Sequence, residues 1–159
     1  MKLTTKGRYA VQALADIASN GAGDEPVALS DVAGRQGISA GYLEQLFAKL
    51  RRAGLVKSAR GVAGGYSLGR GAQAIRVSEI VAAVDEEIRT TACGGKSGGC
   101  AGGGARCLTH DLWDELGRQI DIFLNAVTLE DVVERRVLGM AAVNAPARSE
   151  TMNAGNAAS

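Results

Sequence analysis

Residues 37–68 read GISAGYLEQLFAKLRRAGLVKSARGVAGGYSL, and this stretch decides the fold. Ser39 has the chemistry of a helix N-cap, and Leu43, Leu46, Phe47 and Leu50 after it recur at helical spacing along one face. Upstream, Ser30 is expected to cap a short helix running to about Gln36, which Gly37 ends. Two helices joined by a tight glycine-containing turn make the helix-turn-helix pattern. Downstream, Gly54 stops the second helix, Leu55 to Ser58 predict a short strand, Arg60 to Gly65 a glycine loop, and Tyr66 to Leu68 a returning strand. A hairpin with a basic tip in that place is a wing.

Ahead of this unit, Ala10, Ala13, Leu14, Ile17 and Ala18 predict a first helix, capped at Thr4 or Thr5 and ended by the turn-rich break from Asn20 to Pro26. Behind it, Val77, Ile80, Val81 and Val84 predict a helix over 77–87 that packs on the winged unit. The expected fold is therefore mainly α with a small β-wing.

In such a fold the second helix of the pair enters the major groove with its N-terminal residues against base edges. Its outward positions are Ala40, Gly41, Tyr42, Glu44, Gln45 and Lys49. Gln45 can pair with adenine, while Glu44 can accept only from cytosine N4 and is repelled by phosphate, so Glu44 is expected to exclude wrong sequences. Lys49, Arg51, Arg52 and Lys57 read as phosphate contacts, and Arg60 at the wing tip as a minor-groove residue. Plainer roles exist for some of these. Glu44 could pair with Lys49 or Arg51 on a solvated surface, Tyr42 fits packing and DNA contact equally, and Tyr9 and Tyr66 read as packing residues.

Charge agrees with a polyanion at the front of the molecule. The formal net charge of +1 hides 11 Lys/Arg against 5 Asp/Glu in residues 1–76, and 7 against 12 in residues 77–159. An aromatic content of 4% is too low for a single-strand stacking platform. No apolar run reaches the roughly 18 residues of a membrane span and the N-terminus lacks a signal-peptide core, so a cytoplasmic protein is expected.

The second decisive stretch is Cys93 to His110, CGGKSGGCAGGGARCLTH, which holds all three cysteines and the only histidine of the 159 residues. An odd number of cysteines in a reducing compartment argues against a disulfide framework. Six residues separate Cys93 from Cys100 and Cys100 from Cys107, and two separate Cys107 from His110. Three thiolates and one imidazole suit a metal site. Zinc usually takes gaps of two to four residues, which only Cys107 and His110 satisfy, whereas wide, even gaps favour a multi-iron cluster. Zinc and an uncoordinated thiol switch stay open as alternatives. Seven of the 15 residues from Cys93 to Cys107 are glycine, so this loop has no core of its own and is expected to take its order from what it binds. An enzyme is not expected, because the one strong constellation of reactive side chains is used up as ligands.

After the loop, with Thr109 as its cap, a long amphipathic helix is predicted from Leu112, Trp113, Leu116, Ile120, Phe123, Leu124 and Val127. A stripe so apolar in so small a protein calls for the same helix of a second subunit, and a two-fold dimer calls for a near-palindromic operator. Thr128 then caps a short helix to about Leu138, with Asp131 at its third position. From Ala141 onward no periodicity remains, and a disordered tail is expected.

The opening MKLTTKGRYAVQAL, the stretch 37–68 and the run CGGKSGGCAGGGARCLTHDLW together resemble the IscR iron-sulfur cluster regulator family of bacterial winged-helix transcription factors. The resemblance covers nearly the whole chain except the tail. It implies a homodimer on double-stranded DNA, with one [2Fe-2S] cluster per subunit held by Cys93, Cys100, Cys107 and His110 and delivered by cluster-assembly proteins. It further implies control of cluster-assembly genes according to cluster supply, with repression by the loaded form and a possible difference in operator choice between loaded and empty protein. Replacing a thiolate by neutral imidazole removes negative charge and should raise the reduction potential. The cysteine gaps are one residue longer than the spacing associated with this family, which bears on loop conformation and cluster stability. Related nitric-oxide sensors share the cysteine loop but usually lack the CLTH ending. The resulting division is a winged helix-turn-helix domain over 1–87, a cluster-binding loop over 88–110, a dimerisation helix and short helix over 111–140, and a tail over 141–159.

Overall fold

Thr4 accepts a hydrogen bond from the Lys6 amide (3.3 Å) and starts helix α1, Thr5–Asn20, at the expected cap. In the computed structural model, which describes residues 4–21, 24–84, 88, 90 and 106–140, α1 is the centre of the molecule. Its inner face buries Ala10, Ala13, Leu14 and Ile17. Helix α2, Leu29–Gln36, and helix α3, Ala40–Arg52, both lean on it, and Gly37 in the left-handed conformation (φ 65°) makes the turn between them. Ser39 caps α3 by accepting from the Tyr42 amide at 3.2 Å. The α3 stripe of Leu43, Leu46, Phe47 and Leu50 is buried as its spacing predicts.

Strands β1, Val56–Ala59, and β2, Gly65–Leu68, pair antiparallel with Val56 opposite Leu68 and Ala59 opposite Gly65. The strands are displaced by about one residue from the sequence expectation, and Val27 adds an isolated bridge to Tyr66. That bridge explains why Ser30 is not the cap of α2. The Val27 amide donates to the Tyr66 carbonyl and the Tyr66 amide to the Val27 carbonyl, both at 2.8 Å. The chain is thereby pinned at Val27, and the helix turns directly after Ala28, whose side chain has nothing to cap with.

Helix α4, Val77–Ala83, follows a single 3₁₀ turn at Ala72–Ala74. Residues 85–87, the expected end of this helix, lie outside the described residues. Helix α5, His110–Ala126, is the long amphipathic helix, and α6, Leu129–Val133, returns to α1, where Leu129 joins the main core. Val127, read as the last member of the α5 stripe, instead leaves the helix and is buried beside Val77 and Val81. Thr128 and Asp131 form the expected capping box, with the Thr128 amide and hydroxyl donating to Asp131 Oδ2 at 3.0 and 2.7 Å and the Asp131 amide returning to Thr128 Oγ1 at 3.1 Å. The helix is five residues shorter than its pattern suggests. Arg135 takes a left-handed φ of 56°, the Arg136 amide donates back to the Asp131 carbonyl (2.9 Å), and the Arg136 guanidinium pairs with Glu130, Asp131 and Glu134.

The helix-turn-helix is locked to α1 by a carboxylate that the sequence reading did not single out. Asp16 is 4% exposed and accepts from Arg35 Nε (3.0 Å), Arg35 Nη2 (2.6 Å) and Gln36 Nε2 (2.6 Å), while Gln12 donates to Gln36 Oε1 (2.8 Å). Burial by itself would raise the Asp16 carboxyl, but the hydrogen bonds from Arg35 and Gln36 and the Arg35 charge hold it below the ordinary carboxylate range. A depressed folded value contributes stability that is complete at neutral pH and is lost as the pH falls through the folded value. Asp16→Ala is expected to cost about 2 kcal/mol in urea unfolding at pH 7, since it strands charged donors beside the core. Below about pH 4 the stability of Asp16→Asn should fall less steeply than that of the unaltered protein, and parallel pH profiles would refute the clamp.

Candidate nucleic-acid interface and ligand turn

Burial of the α3 stripe turns the opposite side of the helix outward. Gly41, Glu44 and Gln45 are exposed, Tyr42 and Lys49 are half-buried, and Arg51 and Arg52 are exposed at the C-terminal end. Arg60 stands exposed at the tip of the wing, next to Gly61 with φ 113°. The structure therefore brings seven of the eight sequence-picked positions onto α3 and puts the eighth on the hairpin beside it. Arg51 Nη1 donates to Ser58 Oγ on β1 (3.3 Å) and ties the wing to the helix. Lys57, read as a phosphate contact, lies 3.8 Å from Asp24 with both side chains largely in water.

The tyrosines divide as their surroundings dictate. Tyr66 packs edge-on against the buried Phe47 at 4.9 Å between ring centroids. Tyr42 meets Tyr9 of α1 at 6.0 Å with an interplanar angle of 84°. Thr5, Tyr9, Gly37, Ile38, Ser39 and Tyr42 line a cleft of about 330 Å³ beside the start of α3. Thr5 and Ser39, expected from the sequence only as caps, are thus also part of the wall of this cleft.

Wing geometry depends on Gly65. A Cβ there would stand 2.3 Å from the Val27 carbonyl oxygen, inside any permitted contact, so the bridge between Val27 and Tyr66 requires glycine at this position. At the hairpin end the Gly64 amide donates to the Gly61 carbonyl at 3.0 Å.

At the foot of α5 the chain makes a turn in which the His110 amide donates to the Cys107 carbonyl at 3.0 Å. Both residues are half-buried. Thr109 occupies the N-cap position, with φ −98° and ψ 3°, but makes no side-chain cap; its Oγ1 lies 3.7 Å from Cys107 Sγ. The expected capping role of Thr109 is thus replaced by contact with the sulfur. A thiol and an imidazole three residues apart on one turn fit a metal or cluster in donor chemistry. Cys93 and Cys100 lie outside the described residues, as does the expected tail from Ala141.

Helix α5 has no buried residue. Phe123 and Leu124, near its C-terminal end, rest against Val77, Val81 and Val127, whereas Leu112 and Trp113 are 62% and 43% exposed and Leu116 and Ile120 are only partly covered. Among the described residues no helix is long and apolar enough to cross a membrane.

Comparison with known proteins agrees with this architecture. The family model named Rrf2, described as an iron-dependent transcriptional regulator, matches residues 3–135. The HTH-type transcriptional regulator IscR of Yersinia pseudotuberculosis is 53% identical over 136 residues, covering 86% of this chain and 81% of that protein. Among solved structures, IscR of T. potens has a TM-score of 0.67 at 37% identity, covering 86% of this chain and 88% of that one. CymR (YrzC), the global cysteine regulator of B. subtilis, has a TM-score of 0.71 at 32% identity, with 85% and 98% covered.

Gly65→Ala is expected to break the Val27 bridge, lowering stability by about 2 kcal/mol and opening residues 60–64 to limited proteolysis. Unchanged cleavage of the wing would show that the bridge does not hold it.

Proposed function

The chain belongs to the Rrf2 family of iron-dependent transcriptional regulators, and on that premise we propose that it couples iron-sulfur cluster supply to the placement of two groove-reading helices. It is a DNA-binding regulator of the IscR type and not an enzyme, and its relatives imply an iron-sulfur cluster. The observation that carries the finer reading is the turn of Cys107 and His110. It sets one donor at the first residue, and another three residues before it, of the helix whose other end is built into the winged unit.

In this reading Cys93, Cys100, Cys107 and His110 hold one [2Fe-2S] cluster per subunit, received from cluster-assembly proteins. When bound, such a cluster supplies a reducible centre and a cross-link among distant residues. The protein's own part is mechanical. His110 opens α5, so a tether on its ring constrains the helix at its first turn. Leu112, Trp113, Leu116, Ile120, Phe123 and Leu124 form the seam with the same helix of a second subunit, which fits the exposure of Leu112 and Trp113 and the partial exposure of the other four in the single chain. The relative position of the two α5 helices then sets the spacing of the two α3 helices on a near-palindromic operator. The division into a winged unit over 1–87, a loop over 88–110, a dimerising segment over 111–140 and a tail over 141–159 belongs to the same proposal. So do a cytoplasmic location and repression of cluster-assembly genes by the loaded form.

On DNA, Gly41 lets the backbone approach, Tyr42 and Gln45 face base edges, and Glu44 accepts from cytosine N4. Lys49, Arg51 and Arg52 meet phosphates, and Arg60 enters the minor groove. Arg60→Ala should weaken binding to all sequences, whereas Glu44→Ala should relax discrimination by roughly tenfold at one base pair with little loss on the best site. A Glu44→Ala protein of unchanged selectivity would remove Glu44 from the readout.

The deciding experiment is anaerobic purification with visible absorption and iron and sulfide assay, then sedimentation and operator binding of loaded and empty protein at fixed salt. A coloured dimer with roughly two iron and two sulfide per subunit is expected, with DNA affinity or site choice that changes on cluster loss. A colourless protein carrying zinc would replace this reading by a zinc-stabilised winged-helix regulator, for which the two-residue gap between Cys107 and His110 is suitable. Equal DNA binding by both forms would break the coupling.

A further inference from the structure

Gly117 is the only glycine in α5, and a helix interior is the place where glycine is least favourable after proline. Its surroundings account for it. A Cβ at Gly117 would meet Thr90 Oγ1 at 2.5 Å and Thr90 Cβ and Cγ2 at 3.5 Å, so Thr90 occupies the notch left by the missing side chain. Two residues earlier, Ile88 packs on Val77, Val81 and Val127, the cluster that also receives Phe123. Ile88 and Thr90, which precede the cysteine loop in sequence, are therefore seated on α4 and α5. On the returning side, Arg106 lies 3.4 Å from Asp111 of α5.

Helical geometry relates this seat to the ligand turn. Gly117 is seven residues after His110, close to two full turns, so both sit on the same face about 10 Å apart along the axis. In sequence Cys93 follows three residues after Thr90, and three residues of chain span at most about 11 Å. Thr90 is thereby held on the face of α5 that carries His110, three residues before Cys93 in sequence.

We propose that Gly117 is a positioning residue for the ligand set: by admitting Thr90 against α5 it fixes the entry side of the cysteine loop on the face that carries His110. The proposal rests on the cluster reading above. Closing a loop whose two ends are already held on one helix costs less chain entropy than gathering the donors from a free segment. It also makes cluster retention sensitive to a residue that is not a ligand.

The test compares the unaltered full-length protein, Gly117→Val, Gly117→Ala and the pair Gly117→Ala with Thr90→Ala, each purified anaerobically. Readouts are the rate of cluster loss to a chelator, the visible circular dichroism of the cluster, and the melting temperature and sedimentation of the empty protein. Gly117→Val fills the notch in every Thr90 rotamer and is expected to lose cluster roughly tenfold faster or more, with an altered visible spectrum. The empty protein should keep its dimer and melting temperature, because valine and alanine are both better helix formers than glycine. If Gly117→Val lowers that melting temperature, the alanine pair decides. Gly117→Ala should lose cluster faster than the double variant, in which the two Cβ atoms stand at an ordinary contact of 3.5 Å. Equal loss rates across the set would overturn the proposal. An unaltered protein without cluster would instead overturn the reading on which it rests.

Discussion

Leu43, Leu46, Phe47 and Leu50 leave water on one side of α3, and the direction of every other side chain on that helix follows from this burial. Each such side chain contributes on the order of 2 kcal/mol, so the four together compare with the whole net stability of a small domain, about 5–15 kcal/mol. The helix cannot turn about its axis without exposing them. Glu44 and Gln45 are presented to solvent as a consequence of the core. What remains free is the tilt of the helix-turn-helix on α1. Asp16 removes that freedom, since its carboxylate receives donors from two consecutive residues at the end of α2.

The link between the C-terminal end of α5 and the winged unit is made of backbone as much as of side chains. The Val77 amide donates to the Val127 carbonyl at 3.0 Å and the Leu129 amide to the Ile75 carbonyl at 2.9 Å, on either side of the bridge between Arg76 and Thr128. Arg76 Nη1 reaches the Ala126 carbonyl at 3.1 Å, and Ser78 Oγ lies 3.0 Å from Asn125 Oδ1. Val127 and Leu129 are buried immediately after this junction. Hydrogen bonds set in a close-packed surround resist displacement, so this junction holds the C-terminal end of α5 on the winged unit. Glu79 steadies the same junction from the side of α4, accepting from the Arg76 amide at 2.8 Å and from Arg70 Nη2 at 2.5 Å. The Arg76 amide and the Arg70 guanidinium hold its carboxyl below the ordinary range.

The most useful sequence signals were those whose physics is local. Ser39 and Gly37 bracket α3 because a hydroxyl cap and a left-handed glycine act on the residues next to them. The winged helix-turn-helix was legible from such signals together with apolar spacing. The expectations that failed are those in which a second partner competes, distant for Ser30 and close by for Thr109 and Arg136. Ser30 lost the cap of α2 to the pairing of Val27 with Tyr66, Thr109 turned its hydroxyl toward Cys107, and α6 ended at Val133, just before left-handed Arg135, where Arg136 folds back on its acidic neighbours. A polar residue on the inner face of α1, Asp16 between Ala13 and Ile17, was a visible signal of a buried partner, though not of which one.

By itself the sequence determined the order and type of the elements, the outward set of residues on α3, and the donor types gathered between Cys93 and His110. These follow from periodicity, from chirality at glycine and from the chemistry of single side chains, none of which needs a three-dimensional neighbour. Only the tertiary structure decided that Asp16 holds Arg35, that Val27 extends the wing, that Val127 belongs to the core and not to the α5 stripe, and that Thr90 fills the notch at Gly117. Each of these joins residues 19 or more apart in sequence. Such partners are chosen by how the helices pack, and packing is a property of the whole chain that no local pattern encodes.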